Sequence, residues 1–169
     1  QTYRRFPVEI VSGKGAVAYD VNGKKYIDMG SGIATNTFGY ADDEWVAAVT
    51  AQLNSFSHTS NLYYTSPCAR LAELLCERTG MSRIFFGNSG AEANEGAIKA
   101  ARKYSFDKYG EGRHKIVTLV NSFHGRTMGA LSVTGNPHYR EAFEPMIGHI
   151  KFADLNDFDS VLANVTDKT

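Results

Sequence analysis

The residues best suited to chemistry lie in two short polar stretches, each of which follows an apolar run. In the first, Ile84-Phe85-Phe86 breaks at Gly87-Asn88, and Ser89-Gly90-Ala91-Glu92 opens a segment with alanine at Ala93, Ala97, Ala100 and Ala101. The pattern predicts a strand, a tight turn and a helix. Ser89 followed three residues later by Glu92 fits a capping box, in which hydroxyl and carboxylate satisfy free N–H groups of the first turn. Gly90 admits a close approach to the backbone, and Ala91 adds almost no bulk. The orphan donors and the positive end of the helix macrodipole then suit a phosphate. The same residues also fit an ordinary capped helix behind a buried strand, and this stretch alone leaves both readings open.

The second stretch follows Lys115 to Val120, KIVTLV, which reads as a short strand of a parallel sheet covered on both faces. Beyond it come Asn121-Ser122-Phe123-His124-Gly125-Arg126-Thr127. Ligands of an open parallel sheet collect beyond the carboxyl ends of its strands, where both loops, 88–92 and 122–127, emerge. Phe123 suits a core position or, beside a phosphate anchor, stacking on a flat ring. Arg126 suits a solvated surface or, within such a cleft, the planar fork that grips a carboxylate. His124 reads as a hydrogen-bonded wall residue rather than a base. The five histidines are scattered and no HExxH spacing occurs, so no zinc site is expected.

The elements that must position these loops are legible in outline. From residue 83 onward strand and helix alternate, which predicts a doubly wound α/β domain. The long helix from Gly90 is expected to end near Tyr109-Gly110, Ile150 to Phe152 reads as a strand, and Asp157 to Val165 as a short helix. Upstream, Trp45, Val46, Val49 and Leu53 recur at helical spacing within Asp42 to Phe56. Ser66-Pro67 opens a helix expected to bury Cys68, Leu71, Leu74 and Leu75 and to stop at Gly80. Asn22-Gly23 between Val17-Ala18-Tyr19 and Tyr26-Ile27-Asp28 signals a hairpin. Two apparent nucleotide motifs fail. Gly30-Ser31-Gly32 has Thr35 where a dinucleotide fingerprint needs its third glycine, and Ser12-Gly13-Lys14-Gly15, lacking the P-loop spacing, reads as a turn.

Of 169 residues, 18 are basic and 18 acidic, and no basic run occurs, so neither nucleic acid nor a membrane surface is an expected partner. No signal-peptide pattern or long apolar segment is present. Cys68 and Cys76 lie about 12 Å apart along one helix, too far for a disulfide, and read as buried thiols of a cytoplasmic protein.

The runs FFGNSGAEANEGAIKAARKY and NSFHGRTMGALSVTG, with HTSNLYY and VSGKGAVAYDVNGKKYIDMGSGIA, resemble the class III pyridoxal-phosphate aminotransferases, most closely the acetylornithine branch. The resemblance implies a PLP-transferase type I fold, of which residues 1–40 would be the N-terminal small-domain segment and 41–169 the first, incomplete part of the large cofactor-binding domain. It implies pyridoxal 5'-phosphate held by Ser89, Gly90 and Ala91 at the phosphate, with Phe123 stacked on the ring and His124 beside it. Arg126 would bind a substrate carboxylate, and Ser60, Asn61 and Tyr64 would lie near the substrate. The implied reaction is a ping-pong amino transfer from N-acetylornithine to 2-oxoglutarate by a cytoplasmic homodimer. The catalytic lysine and the acidic partner of the ring nitrogen are expected beyond Thr169, so the chain is expected to be the inactive front part of a longer enzyme. Ile33 stands where ornithine aminotransferases tend to have a tyrosine, and an apolar group there favours an acylated donor, because a charged ammonium would lack a partner. Enzymes acting on 4-aminobutyrate, ornithine or succinylornithine, and a non-catalytic ligand-binding relative, are the alternatives.

Overall fold

The computed structural model describes residues 3–169, and the chain divides into two compact units, Gln1–Ser66 and Pro67–Thr169. In the first, strands β1 (Ile10–Lys14), β2 (Val17–Asp20) and β3 (Lys25–Ile27) form an antiparallel sheet in that order. The expected hairpin is there: Ala18 faces Tyr26 and Tyr19 faces Lys25 across β2 and β3. Gly23 sits at φ +77°, a conformation that glycine adopts without the Cβ penalty. Asp20, 8% exposed, organises the turn. Its carboxylate accepts from the N–H groups of Asn22 and Lys24 and from the Tyr26 hydroxyl, each at 2.9 Å. Burial pushes its pKa up, but the donors from Lys24, Tyr26 and Asn22 outweigh that and hold it below the usual carboxylate range.

The Ser12–Gly15 turn is displaced. Ser12, Gly13 and Lys14 belong to β1, and the chain reverses at Gly15, which exchanges two 2.8 Å backbone hydrogen bonds with Tyr40. After β3 comes a single turn, α1 (Ser31–Ala34), whose residues have φ of +39°, +60°, +59° and +61°. This left-handed path is unfavourable for L-residues. It is anchored by Asp28, whose Oδ1 accepts from the Gly30 and Ser31 N–H groups at 2.8 and 2.9 Å. Helix α2 (Asp43–Ser55) is capped by the Asp42 carboxylate, which accepts from Trp45 N–H at 2.8 Å.

Helix α3 (Ser66–Thr79) leads into the second unit, which continues with α4 (Gly90–Tyr109), β4 (Ile116–Leu119), α5 (Met128–Ser132), β5 (Ile150–Ala153) and α6 (Phe158–Asn164). Strands β4 and β5 pair in parallel, Ile116 against Ile150 through Leu119 against Ala153. Gly110 at φ +77° ends α4, and Asp157 caps α6, as their sequences suggest. The core of this unit is built from small residues: Ala130, Thr134 and Ala153 are fully buried, with Leu131, Ser132 and Val133 around them. All but Ala153 come from α5 and the residues just after it, an element the sequence pattern does not announce because five residues are too few to show a helical period.

Three expectations need correction. Residues 84–86 form no strand, since no described segment pairs with them, and Phe85 is exposed. The apolar faces of α2 and α3 are not buried: Trp45, Leu53, Leu71 and Leu74 are all exposed. Cys68 is exposed and Cys76 half-buried. Helical spacing shows that a face is suited to cover but not what covers it, and neither helix packs extensively on another described element. Among the described residues, no helix is long and apolar enough to cross a membrane.

Candidate cofactor and substrate site

Ser89 caps α4 as expected, its hydroxyl accepting from Glu92 N–H at 3.2 Å. The other half of the box is shifted by one residue. The Glu92 carboxylate reaches the N–H and the side-chain amide of Asn88, at 2.5 and 3.0 Å, rather than the Ser89 N–H. It closes the turn that brings the chain into the helix. The Gly90 and Ala91 N–H groups meet no acceptor among the described residues, and a Cβ on Gly90 would have no atom within 4 Å. The helix start therefore keeps unspent donors at its positive end, with room beside Gly90.

The second loop is docked onto one face of the same helix. Ala91, Asn94 and Glu95 are spaced i, i+3 and i+4, so they share that face. Gly125 lies against Ala91: at φ +128° it has no Cβ, and one would come within 2.7 Å of the Ala91 methyl. Asn94 Nδ2 donates to the His124 carbonyl at 2.7 Å. Glu95 Oε1 accepts from the Thr127 hydroxyl at 2.6 Å and from the Gly129 and Ala130 N–H groups at 3.0 and 3.2 Å. The Thr127 hydroxyl, foremost, holds the Glu95 carboxyl below its usual range; burial opposes this, and the Ala130 and Gly129 N–H groups and the Lys99 charge reinforce it.

The loop is held equally from the core side. The buried Thr134 hydroxyl accepts from His124 N–H and donates to the Ala130 carbonyl, both at 3.0 Å. Ser122 Oγ donates to the Leu119 carbonyl at 2.6 Å and accepts from Gly135 N–H at 3.2 Å. Gly135 is pressed so closely on Leu119 that a Cβ there would overlap the Leu119 carbonyl oxygen.

Two side chains project from this fastened backbone. Phe123 is 59% exposed, in an edge-to-face arrangement with Tyr139 at 6.1 Å between ring centroids, so it is not a core residue. Arg126 is exposed, between Gly125 packed on Ala91 and Thr127 bound to Glu95. His124 is half-buried with Nδ1 3.4 Å from Ser122 Oγ. Ser89, Gly90, Ala91, Phe123, His124 and Arg126 thus fall within one unit. Ser60, Asn61 and Tyr64 belong to the first unit, all exposed; Ser60 shapes a turn by accepting from Leu62 N–H at its hydroxyl and Tyr63 N–H at its carbonyl. Asn94, Glu95 and Thr134 escaped the sequence reading. The signal for the first two was their helical spacing from Ala91, whereas Thr134 had none.

An unspent helix N-terminus, an exposed aromatic ring and an arginine on a pinned loop suit a ligand with a phosphate, a flat ring and a carboxylate. The family model of the class III aminotransferases matches residues 1–168. The chain is 51% identical to the acetylornithine aminotransferase of Haemophilus ducreyi over 96% of its own length and 42% of that protein's. It is 45% identical to the enzyme of that name from Methanocaldococcus jannaschii, over 100% of this chain and 42% of that one. A solved ornithine aminotransferase of Toxoplasma gondii, described with partial occupancy of PLP at its active site, superposes with a TM-score of 0.91 at 27% identity, covering 99% of this chain and 40% of that structure. The chain spans about two-fifths of the length of these relatives. With the family model matching residues 1–168 and the loops docked as described, the chain belongs to the class III aminotransferase family.

Proposed function

We propose that this chain supplies the phosphate, ring and carboxylate contacts of a pyridoxal-phosphate-dependent enzyme that moves an amino group from N-acetylornithine to 2-oxoglutarate. The observation that carries this is the docking of 122–127 onto Ala91, Asn94 and Glu95, which brings the loop bearing Phe123 and Arg126 to the open start of α4. The residues present fit the cofactor. The Gly90 and Ala91 N–H groups, with the Ser89 cap, have donors free for its phosphate, and Gly90 leaves the space it needs. Phe123 offers an exposed face to the ring, and His124 walls it.

When bound, pyridoxal phosphate supplies the electron sink that weakens a bond at the amino-bearing carbon. The chain's own residues orient. Donors at the helix start fix the phosphate end, Phe123 sets the ring plane, and the Arg126 fork takes the substrate carboxylate in two parallel hydrogen bonds. Ser60, Asn61 and Tyr64 contribute to the substrate end. On this reading, residues 1–40 belong to the small domain and 41–169 to the large one, in a cytoplasmic homodimer. The names of the two relatives and the apolar Ile33 support the acetylated donor.

The test is the visible absorption of the intact gene product with pyridoxal phosphate. A bound-cofactor band that is lost on adding N-acetylornithine and restored by 2-oxoglutarate is expected. A band that responds to free ornithine or 4-aminobutyrate instead would overturn the donor, and no band would overturn the enzyme reading.

A further inference from the structure

Arg126 can act as a carboxylate fork only if its backbone is held, and the loop's tethers to α4 divide on either side of it. Upstream, His124 is held by Asn94 and Thr134, and Gly125 by contact with Ala91. Downstream, the tether to α4 is the Glu95 carboxylate, which gathers the Thr127 hydroxyl and the Gly129 and Ala130 N–H groups onto one oxygen. Gly129 confirms how tightly that carboxylate is seated, since a Cβ there would overlap it.

We propose that Glu95 is a positioning residue for substrate recognition: through Thr127 and the first turn of α5 it sets Arg126 for the substrate carboxylate, while the cofactor's hold depends on the upstream tethers. The proposal rests on the function proposed above. A charged acceptor shared by three donors stiffens more than a neutral one, because hydrogen bonds to an ionised group are about twice as strong. Losing it loosens the exposed residues Arg126 and Thr127, while the buried α5 and Thr134 keep the core and Phe123, Gly90 and Ala91 stay where they were.

The experiment compares the unsubstituted intact protein with Glu95→Ala, Glu95→Gln and Thr127→Val, measuring KM for N-acetylornithine and 2-oxoglutarate, kcat, pyridoxal-phosphate affinity and Tm. Glu95→Ala is expected to raise KM for both carboxylate substrates about tenfold or more, worth about 1.4 kcal/mol, with cofactor affinity changed by less than about threefold. Glu95→Gln, whose amide oxygen still accepts, is expected to restore most of that loss, and Thr127→Val to fall between. A lower Tm with unchanged KM would overturn the proposal, as would cofactor affinity falling in step with KM. Should Glu95→Ala not fold, Thr127→Val decides: an unchanged KM overturns the proposal alone. Absence of turnover by the unsubstituted protein would overturn the proposed function and this inference together.

Discussion

Asp20 and Glu95 do the same physical job in the two units, and the difference between them lies in where their partners come from. Each carboxylate gathers three donors and is held below the usual carboxylate range by them. Asp20 draws its donors from Asn22, Lys24 and Tyr26, within six residues. Glu95 draws them from Thr127, Gly129 and Ala130, more than thirty residues away. A local carboxylate of this kind shapes a turn that the Asn-Gly signal already favours. A distant one joins two elements whose meeting nothing local requires, so more of the unit depends on it.

The sharpest way to break this comparison is at the glycines. Gly135→Val would drive a branched side chain into the Leu119 carbonyl at the root of the site loop, and a loss of about 3 kcal/mol or more is expected by thermal denaturation of the intact protein. Gly23→Ala, with open space but positive φ, is expected to cost only about 1 kcal/mol. Equal losses would mean that the long-range contact matters no more than the turn. Next, Glu95→Ala is expected to destabilise by about 2 kcal/mol, leaving its donors short of an acceptor, and Asp20→Ala to lower Tm by less. The reverse order would undo the argument.

Ser89→Ala tests a local device in the second unit and is expected to cost about 1 kcal/mol, the usual worth of an N-cap. Acid sharpens the comparison further. The Glu95 pKa is depressed in the folded state, so its contribution is fully present above the ordinary glutamate pKa of about 4.3 and is lost as pH falls through the folded value. Glu95→Gln is expected to flatten the decline of stability below about pH 4.3 and to leave its pH dependence near neutrality as it was. A profile identical to the unsubstituted protein's would show that the carboxylate is not depressed. The smallest effect is expected at Lys103→Ala, which removes an exposed i,i+4 pair with Asp107 and costs under about 0.5 kcal/mol.

What could be read in advance follows the same division. The hairpin at Asn22-Gly23, the helix within Asp42 to Phe56, the Ser89 cap, the stop at Gly110 and the helix after Asp157 were all legible, because each is decided within a turn or two of chain. The two apolar strands that pair as β4 and β5 were visible as runs, as was the polar loop after the first of them. The strand expected at residues 84–86 was not formed, since a strand exists only with a partner. Nor could the sequence show that α5 and Thr134, rather than the larger leucines of α3, would make the core.

The amino-acid order by itself therefore marked out the candidate ligand-binding residues and the local geometry that presents them: a capped helix start with small residues, and an aromatic-His-Gly-Arg loop behind a strand. Only the tertiary structure decided that these two pieces meet, through Ala91, Asn94 and Glu95 on one helix face and Gly125, His124 and Thr127 on the loop. The physical reason is range. Caps and turns are satisfied by neighbours in sequence, whereas the choice among distant partners for a buried-side donor or carboxylate rests on the packing of the whole unit.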